Sequence, residues 1–300
     1  MKIAVTGASG LVGKAFCSLV EKSGWKVTRF TRDKELGSKD GYGYWSPDSS
    51  EIELSKLEGL DAVVHLAGES IVALRWNEEK KRKIRDSRVS GTKLISSSLA
   101  QLAHKPKSFL CASAIGFYGD TGIVMATEGS PKGEGFLSDV AADWESASAD
   151  AMRAGIRVVN TRIGIVLSTE GGALKTMLPP FKVGMGGALG KGDQYMSWIT
   201  LDDLVRAMKF LLENDALSGP VNLVAPHPVI NKEFTKTLAS VLGKPAVANV
   251  PAIAVKTLLG EMAQELLLCS TRVACNRLVG SGFEFEHPQL EEALGSLLVN

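Results

Sequence analysis

The chain has 300 residues, of which 45% are hydrophobic, and its 34 Lys and Arg residues nearly balance 33 Asp and Glu residues. This composition can fill a hydrophobic core and argues against a disordered chain. A formal net charge of +1 gives no electrostatic reason to expect nucleic acid or an anionic membrane as a partner, and no apolar run is long enough to span a bilayer. We therefore expect small-molecule partners.

The chain opens with a predicted strand, Lys2 to Thr6, that leads into a turn with glycines at every third position and then into an apolar-periodic helix through Val20. Gly7 permits the tight turn, Gly10 lets the backbone approach a phosphate, and Gly13 allows the helix to pack on the strand. Backbone N–H groups at such a helix start bind pyrophosphate. The turn therefore predicts a dinucleotide site.

Because this strand begins at residue 2, we expect no cleaved signal peptide. The four cysteines, Cys17, Cys111, Cys269 and Cys275, form no C-x-x-C pair. They are typical of reduced thiols in a cytoplasmic protein, so neither a disulfide nor a metal site is expected.

Strands and helices alternate along the first two thirds of the chain, which predicts an α/β fold with a doubly wound, mainly parallel sheet. The further strands are predicted at Trp25 to Phe30, Asp61 to Ala67, Ser108 to Ser113, Arg157 to Arg162 and Pro220 to Val224, with helices at Asn77 to Ala103 and Gly135 to Ala154. Ligands of open α/β sheets bind at the carboxyl ends of the strands. Gly68, Ser113 and Arg162 should therefore converge near the first glycine turn.

The regular alternation of strands and helices stops after Leu167. Residues 168–192 are rich in glycine, and we interpret them as an ordered loop that covers a ligand. Helices are predicted at Asn231 to Leu242, at about Ala252 to Leu268 and after Pro288. The expected division is a dinucleotide-binding domain at 1–166, with a return strand and helix at about 200–225, and a smaller, mostly helical substrate or lid lobe at 167–199 and 226–300.

Several motifs together resemble a known family. Thr6 to Gly13 has the T-G-x-x-G-x-x-G form of extended short-chain dehydrogenases/reductases, and His65 to Gly68 and Ser113 to Gly119 match their next two landmarks. The finer resemblance is to the atypical YfcH-like epimerase family, and it extends over nearly the whole chain. Its further motifs are Gly68-Glu69-Ser70, Arg75-Trp76, Ser87 to Thr92, Asp143-Trp144-Glu145, Thr161 to Gly164, Gly260 to Ala263 and Gly282 to Phe285.

The resemblance implies an extended Rossmann domain, a nicotinamide dinucleotide and a small substrate lobe, but it names no substrate. The residues expected to bind the cofactor lie in the glycine turn, beyond the second strand and after the later strands. They are Thr6, Gly7, Ser9, Gly10, Leu11, Val12, Gly13, Arg32, Leu66, Ala67, Gly68, Glu69 and Arg162.

Charge near the end of the second strand favours NADP over NAD. An acidic residue there binds the ribose 2′-OH of NAD, whereas the 2′-phosphate of NADP needs a cation. Arg32 follows the strand, with Arg29 and Lys34 nearby, and we interpret it as the phosphate-binding residue. Asp33 is the one feature that favours NAD.

The chain departs from its superfamily at the expected catalytic residues. Ordinary members use a Tyr-x-x-x-Lys pair, in which the lysine lowers the pKa of the tyrosine that transfers the proton. None of the four tyrosines has a lysine four positions on, and the segment where the pair should fall reads Phe136 to Ala142. The first hypothesis keeps hydride transfer, with Ser113 orienting a carbonyl and Tyr118 acting as the acid.

Two other hypotheses stay open. One is an epimerase, which needs the same proton transfer twice; the other is a non-catalytic NADP-binding regulator of the cell-division-inhibitor-like type. Glu69 and Arg75 are predicted either to contact substrate or to form a salt bridge that fixes the loop, and His65 is predicted to be a hydrogen-bonded core residue. Trp76 and Trp198 are predicted to pack in the core or in a lid. A homodimer formed through the two long helices is also left open.

Overall fold

The computed structural model describes residues 1–72, 75–246 and 249–299. The strands of these ranges, in chain order, are β1 (Lys2–Thr6), β2 (Lys26–Thr31), β3 (Tyr42–Ser46), β4 (Glu51–Ile52), β5 (Ala62–His65), β6 (Ser108–Ala114), β7 (Arg157–Ile163), β8 (Ile165–Leu167), β9 (Tyr195–Met196), β10 (Trp198–Thr200), β11 (Gly219–Leu223) and β12 (Val229–Ile230). The helices are α1 (Leu11–Lys22), α2 (Lys34–Gly37), α3 (Glu78–Gln101), α4 (Phe136–Ser146), α5 (Ala149–Arg153), α6 (Gly172–Lys182), α7 (Leu201–Glu213), α8 (Asn231–Val241), α9 (Ala252–Leu259), α10 (Asn276–Gly280) and α11 (Leu290–Leu298).

The main sheet has the strand order β11-β7-β6-β5-β1-β2-β3-β4. Its strands pair in parallel except for β4, which runs antiparallel to β3. The predicted α/β class, with an extended Rossmann fold, is therefore confirmed. The order along the sheet reverses between β1 and β5, and an open sheet of this kind has its ligand crevice at that reversal.

The sheet is buried between two helical layers, because successive apolar residues of its strands point to opposite faces. On β1, Ile3 and Val5 join the core cluster that includes residues of α1 and α7. Ala4, between them, joins the cluster that includes residues of α3 and α4. The period of two along a strand thus determines which helices cover which face. The connecting loops, and not the helices, lie at the carboxyl ends of the strands.

Two predicted helices are interrupted. The helix expected from Gly135 to Ala154 ends at Ser146, and α5 begins only at Ala149. At the break the Ser148 hydroxyl donates to the Glu145 carbonyl at 2.7 Å. The helix expected over 252–268 ends at Leu259, because Gly260 has a φ of +60°; a short π-helical turn follows at Ala263–Leu267.

The glycine-rich segment at 168–192 is not only a loop, so that prediction was wrong in part. It contains α6, in which Leu174, Leu178 and Phe181 are buried. These residues follow a spacing of four and three, which aligns them on one helix face. The neighbouring glycines and the internal Pro179 and Pro180 obscured this pattern in the sequence.

Among the residues that the structure describes, no helix combines the length and the apolar character that crossing a membrane requires.

Candidate functional site

The glycine turn joins β1 to α1 with almost no free space around its backbone. Gly7 has a φ of +69°, and a Cβ there would lie 2.7 Å from the Ala67 nitrogen. A Cβ on Gly13 would lie 2.2 Å from the Gly7 carbonyl oxygen. Gly10 precedes α1 and provides no side-chain cap. The first N–H groups of α1 are therefore available for an anion such as a pyrophosphate.

The loop after β5 forms the second wall of this crevice. The Leu66 N–H donates to the Thr6 carbonyl at 3.2 Å, which holds the loop against the turn. Ser9 and Gly10 are exposed at the mouth of the crevice, with Leu11 and Val12 half-buried behind them. Added Cβ atoms on Gly171 and Gly172 would contact the Leu11 side chain, so the start of the glycine-rich segment passes over the turn.

Arg88 of α3 brings a half-buried positive charge to the same wall. Its Nη1 donates to the carbonyl oxygens of Glu69 and Ile84 at 2.9 and 3.1 Å, and a Cβ on Gly68 would lie 3.4 Å from its Cζ. Burial lowers the pKa of Arg88 to about 10. Within the described ranges no carboxylate forms an ion pair with it. In the sequence, its place in the Ser87 to Thr92 motif is the signal that could have indicated this role.

The charged residues on β2 and just after it have separate structural roles. Arg32 is exposed, and none of the described residues forms a hydrogen bond or an ion pair with it. Asp33 is occupied, because its Oδ1 accepts from the Leu36 N–H at 3.0 Å and caps α2. Arg29 pairs with Glu21 at 2.7 Å. Of these charged groups, Arg32 is the cation that a phosphate can reach without breaking an ion pair.

Ser113 lies in a second polar group, on the strands at the other side of β5. Ser113 on β6 and Arg162 on β7 are register partners. The Ser113 hydroxyl donates to Glu145 Oε1 at 2.7 Å. Arg162 Nε and Nη2 donate to the two oxygens of Glu145, each at 2.8 Å. The ion pair is buried, with 4% of the Arg162 side chain and 12% of the Glu145 side chain exposed.

Tyr118 completes this polar group from the interior. Its hydroxyl donates to Asn222 Oδ1 at 2.7 Å and accepts from Arg162 Nη1 at 2.9 Å. Asn222 on β11 is the next register partner of Arg162. Burial raises the pKa of Tyr118. The Tyr118 hydroxyl thus helps to hold Arg162 in place.

Apart from Arg32, the predicted site residues fall into two groups. The first surrounds the crevice at the strand-order reversal and contains Thr6, Gly7, Ser9, Gly10, Leu11, Val12, Gly13, Leu66, Ala67, Gly68 and Glu69. Arg162 lies instead with Ser113 and Tyr118, and its donors contact protein acceptors. Glu145 and Asn222 lie at the centre of this second group, and neither was predicted from the sequence to be a site residue.

Glu69 and Arg75 do not pair with each other. Glu69 forms an ion pair with Lys80 at 2.6 Å, and the hydrogen bond from Lys80 lowers the pKa of Glu69. Arg75 donates instead to the carbonyls of Thr257 and Leu258 at the end of α9. Arg75 therefore links the loop after β5 to the C-terminal part of the chain.

The tryptophans are placed as predicted. Trp198 is fully buried and donates to the His227 carbonyl at 3.2 Å. Trp76 donates to the Ile71 carbonyl and packs edge-on against Phe136. Trp198 is a core residue, and Trp76 packs over the start of α4.

His65 is buried beneath the turn, as predicted for a core histidine. Its Nδ1 lies 2.6 Å from Thr6 Oγ1, and its Nε2 has no partner among the described residues. Burial lowers the pKa of His65 to about 3, and the Arg88 charge adds to this effect. The imidazole is therefore neutral in the folded protein at neutral pH.

Acidification should destabilise the protein through His65. The unfolded histidine titrates near pH 6.5 and the folded one near 3, so below pH 6.5 the unfolded state binds the extra proton. The free energy of unfolding should then fall by up to about 1.4 kcal/mol per pH unit down to the folded pKa. Urea unfolding of His65→Gln should show a shallower fall, whereas His227→Gln, at an exposed site, should keep the wild-type slope. Equal slopes in all three proteins would contradict the assignment.

A cavity of about 350 Å³ opens beside the start of α4. The loop after β6 contributes Gly116, Gly119 and Asp120, and the C-terminal part contributes Gln264, Glu265 and Cys269. Glu265 Oε2 accepts from the Leu137 N–H at 3.2 Å. The C-terminal part thus forms one wall of a cavity large enough for a small ligand.

Comparison with known proteins gives the family. The model of the NAD dependent epimerase/dehydratase family matches residues 3–224. This chain belongs to that family. A second model, described as a domain of unknown function (DUF1731), matches residues 250–297. The resemblance inferred from the sequence motifs is therefore confirmed, and with it the prediction of a fold that binds a nicotinamide dinucleotide.

Similar members of the epimerase/dehydratase family cover nearly all of the chain. Epimerase family protein Mb2239 of Mycobacterium bovis is 40% identical over 98% of this chain and 96% of its own length. The structure of human epimerase family protein SDR39U1 (isoform 2) with NADPH is 30% identical, covers both chains fully and has a TM-score of 0.90. The nucleoside-diphosphate sugar epimerase from Corynebacterium glutamicum is 34% identical with a TM-score of 0.82; the match covers 99% of this chain and 58% of that one.

Proposed function

We propose that this protein is an NADP-dependent oxidoreductase that acts on a small molecule. The observation that carries the choice of NADP is the pair of neighbours after β2: Arg32 is exposed and has no ion-pair partner among the described residues, whereas Asp33 caps α2. The ribose 2′-phosphate of NADP needs a free cation such as Arg32, and the 2′-OH of NAD needs a free carboxylate. A similar human protein whose structure contains NADPH supports the same choice.

The crevice fits this cofactor on its own geometry. The first N–H groups of α1 would hold the pyrophosphate, because the exposed Gly10 carries no side chain to keep a phosphate away. Arg88 adds a positive charge near Gly68. When bound, the nicotinamide exchanges a hydride with the substrate; the protein must then hold both partners and handle the accompanying proton.

Titration with NADPH and NADH tests the cofactor assignment. Wild type should bind NADPH more tightly, and Arg32→Ala should lose about 10- to 100-fold in NADPH affinity, because a hydrogen bond to a charged group contributes about 1.5–3 kcal/mol. NADH affinity should not change. Arg29→Ala is the matched control, since Arg29 is already paired with Glu21. Tighter NADH binding by wild type, or an unchanged NADPH preference in Arg32→Ala, would refute the proposal.

An epimerase acting on a nucleotide sugar is the second candidate, supported by the 34% identity to the nucleoside-diphosphate sugar epimerase of Corynebacterium glutamicum. Such an enzyme would interconvert two sugar epimers without net consumption of added cofactor. Proton NMR of uridine-diphosphate sugars incubated with the protein and NADP separates the candidates: epimer formation favours the second, and stoichiometric NADPH formation favours the first. A non-catalytic regulator would give neither product while still binding NADPH.

Four further parts of the proposal concern domain organisation, location, partners and oligomeric state. We propose that residues 1–166, with the return strand and helix at about 200–225, hold the dinucleotide, and that 167–199 and 226–300 cover the substrate. Contact of the C-terminal part with the cavity beside α4 supports this division. We also propose a cytoplasmic location, supported by cysteines that are free thiols, and small molecules rather than nucleic acid or membranes as partners. A homodimer is part of the proposal and is tested by sedimentation.

A further inference from the structure

The missing Tyr-x-x-x-Lys pair leaves the proton transfer without an obvious carrier. On α4, where the pair is expected, the residues facing the core are Ser138, Val140 and Ala141. The Ser138 hydroxyl is occupied, because it donates to the Phe117 carbonyl at 2.7 Å. Further along the same helix, Glu145 brings a carboxylate to Ser113.

Ser113 is a buried residue, 2% exposed, at the edge of the sheet that carries the cofactor crevice. It lies near the carboxyl end of β6, two residues beyond the register pair of His65 with Cys111. This position is beside the loop that begins at Leu66 and forms the cofactor crevice. The chain after Ser113 continues directly to Gly116 and Gly119, which line the cavity beside α4. Ser113 therefore lies between the two places where cofactor and substrate are expected.

We infer that Ser113 and Glu145 form a proton relay that replaces the missing pair, an inference that rests on the proposed oxidoreductase function. In alcohol oxidation the substrate O–H bond breaks and its proton passes to Ser113 Oγ. The Ser113 O–H proton passes at the same time to Glu145 Oε1. The substrate C–H bond supplies the hydride that reduces the oxidised nicotinamide dinucleotide, and a carbonyl compound is the product.

The Ser113–Glu145 geometry suits this direction. The hydrogen bond from Ser113 to Glu145 is 2.7 Å long and already points toward the acceptor. Arg162 binds both carboxylate oxygens and so fixes the orientation of Glu145. After the transfer, Arg162 stays charged and contacts the protonated acid. Reduction of a carbonyl uses the same bonds in reverse.

Tyr118 is a positioning residue in this scheme. Its hydroxyl donates to Asn222 and accepts from Arg162, and the residue is 3% exposed. The Arg162 guanidinium also lies 3.5 Å from the centre of the Phe117 ring. These contacts fix Arg162, which in turn fixes Glu145.

The charged and titratable groups around Glu145 come from several elements and bear on the pH dependence. Those in or next to the polar group are Arg162 on β7, Cys111 on β6, Tyr118, Glu128 and, on the outer side of α4, Asp143 with its partner Arg85. Burial raises the pKa of Cys111 to about 12 and also raises that of Tyr118. Neither of these two groups loses a proton in the acidic range, so neither contributes to the acidic limb of a pH profile.

The test uses the whole protein with NADPH and 9,10-phenanthrenequinone, an activated dicarbonyl, from pH 5 to pH 8. Because carbonyl reduction needs protonated Glu145, kcat of wild type should rise as the pH falls. Ser113→Ala should lower kcat about 100-fold or more, the usual contribution of positioned proton transfer, and should lose this pH dependence. Ser113→Thr, which keeps a hydroxyl, should restore most of the rate. NADPH affinity, measured by fluorescence, should be the same in all three.

A second readout uses the protein without cofactor. The carboxylate band of Glu145, identified in the infrared spectrum as the wild-type minus Glu145→Gln difference, should shift in Ser113→Ala because one hydrogen bond is lost. If Glu145→Gln does not fold because Arg162 is left unpaired, Ser113→Ala and Ser113→Thr with Glu145→Asp decide the question by their pH profiles.

The outcomes separate the relay from the proposed function. Quinone reduction at the wild-type rate and with the wild-type pH profile in Ser113→Ala overturns the relay and leaves the oxidoreductase intact. NADPH binding without reduction of the quinone at any pH overturns both. A low kcat in Ser113→Ala and Ser113→Thr alike also overturns the relay, because the hydroxyl is then not the feature that matters.

Discussion

Gly13→Ala is expected to weaken NADPH binding by about 100-fold, or about 2.7 kcal/mol. A Cβ at this position would lie 2.2 Å from the Gly7 carbonyl oxygen and 2.8 Å from the Ala8 Cα. Both neighbours are backbone atoms, so the turn must move away from α1. The N–H groups that face the pyrophosphate position would then separate. The same overpacking should lower the free energy of unfolding by about 1–3 kcal/mol.

Gly295→Ala is the matched control for this substitution. Gly295 also lies inside a helix, α11, and a Cβ there would meet open space. Alanine should therefore stabilise that helix by about 0.5–1 kcal/mol and leave NADPH binding unchanged. Fluorescence titration and urea unfolding measure the two effects. If Gly13→Ala behaved like Gly295→Ala, the close packing of the turn would not be the reason for its glycine.

Arg162→Met is expected to lower the free energy of unfolding by about 3–5 kcal/mol, because it leaves the Glu145 carboxylate buried without its partner. Glu145 would keep the hydrogen bond from Ser113 and lose both bonds from Arg162. Tyr118 would lose a donor as well. The midpoint of urea unfolding at neutral pH gives the effect.

Two further variants test whether burial explains this loss. Arg85→Met removes an ion pair with Asp143 in which both side chains are more than 40% exposed, and it should cost no more than about 1 kcal/mol. The double variant Arg162→Met/Glu145→Met removes both charges and should recover a large part of the stability lost in Arg162→Met. Equal losses for Arg85→Met and Arg162→Met would contradict the role given to the buried pair.

Elements with a local periodic pattern could be predicted from sequence. The strand at 2–6 and α3 were predicted within two residues of their observed bounds, and the end of α1 was predicted two residues early. The errors fell where a tertiary contact or a backbone conformation overrode the pattern. α4 and α5 separate at Ser148, next to the place where the Ala151 N–H donates to Ser96 of α3. α6 was missed because only its buried face, not its composition, indicates a helix.

In the candidate site, too, local features could be predicted from the sequence, whereas contacts between distant segments could not. The spacing of Gly7, Gly10 and Gly13, together with the alternation of strands and helices, was enough to predict a dinucleotide crevice, because a βα turn is built from consecutive residues. Tertiary structure decided which charged groups stand near one another. Glu145 lies 32 residues from Ser113 and 17 from Arg162, and only the parallel register of β6 with β7, covered by α4, brings the three together. Such contacts depend on packing between distant segments, which no spacing in the sequence encodes.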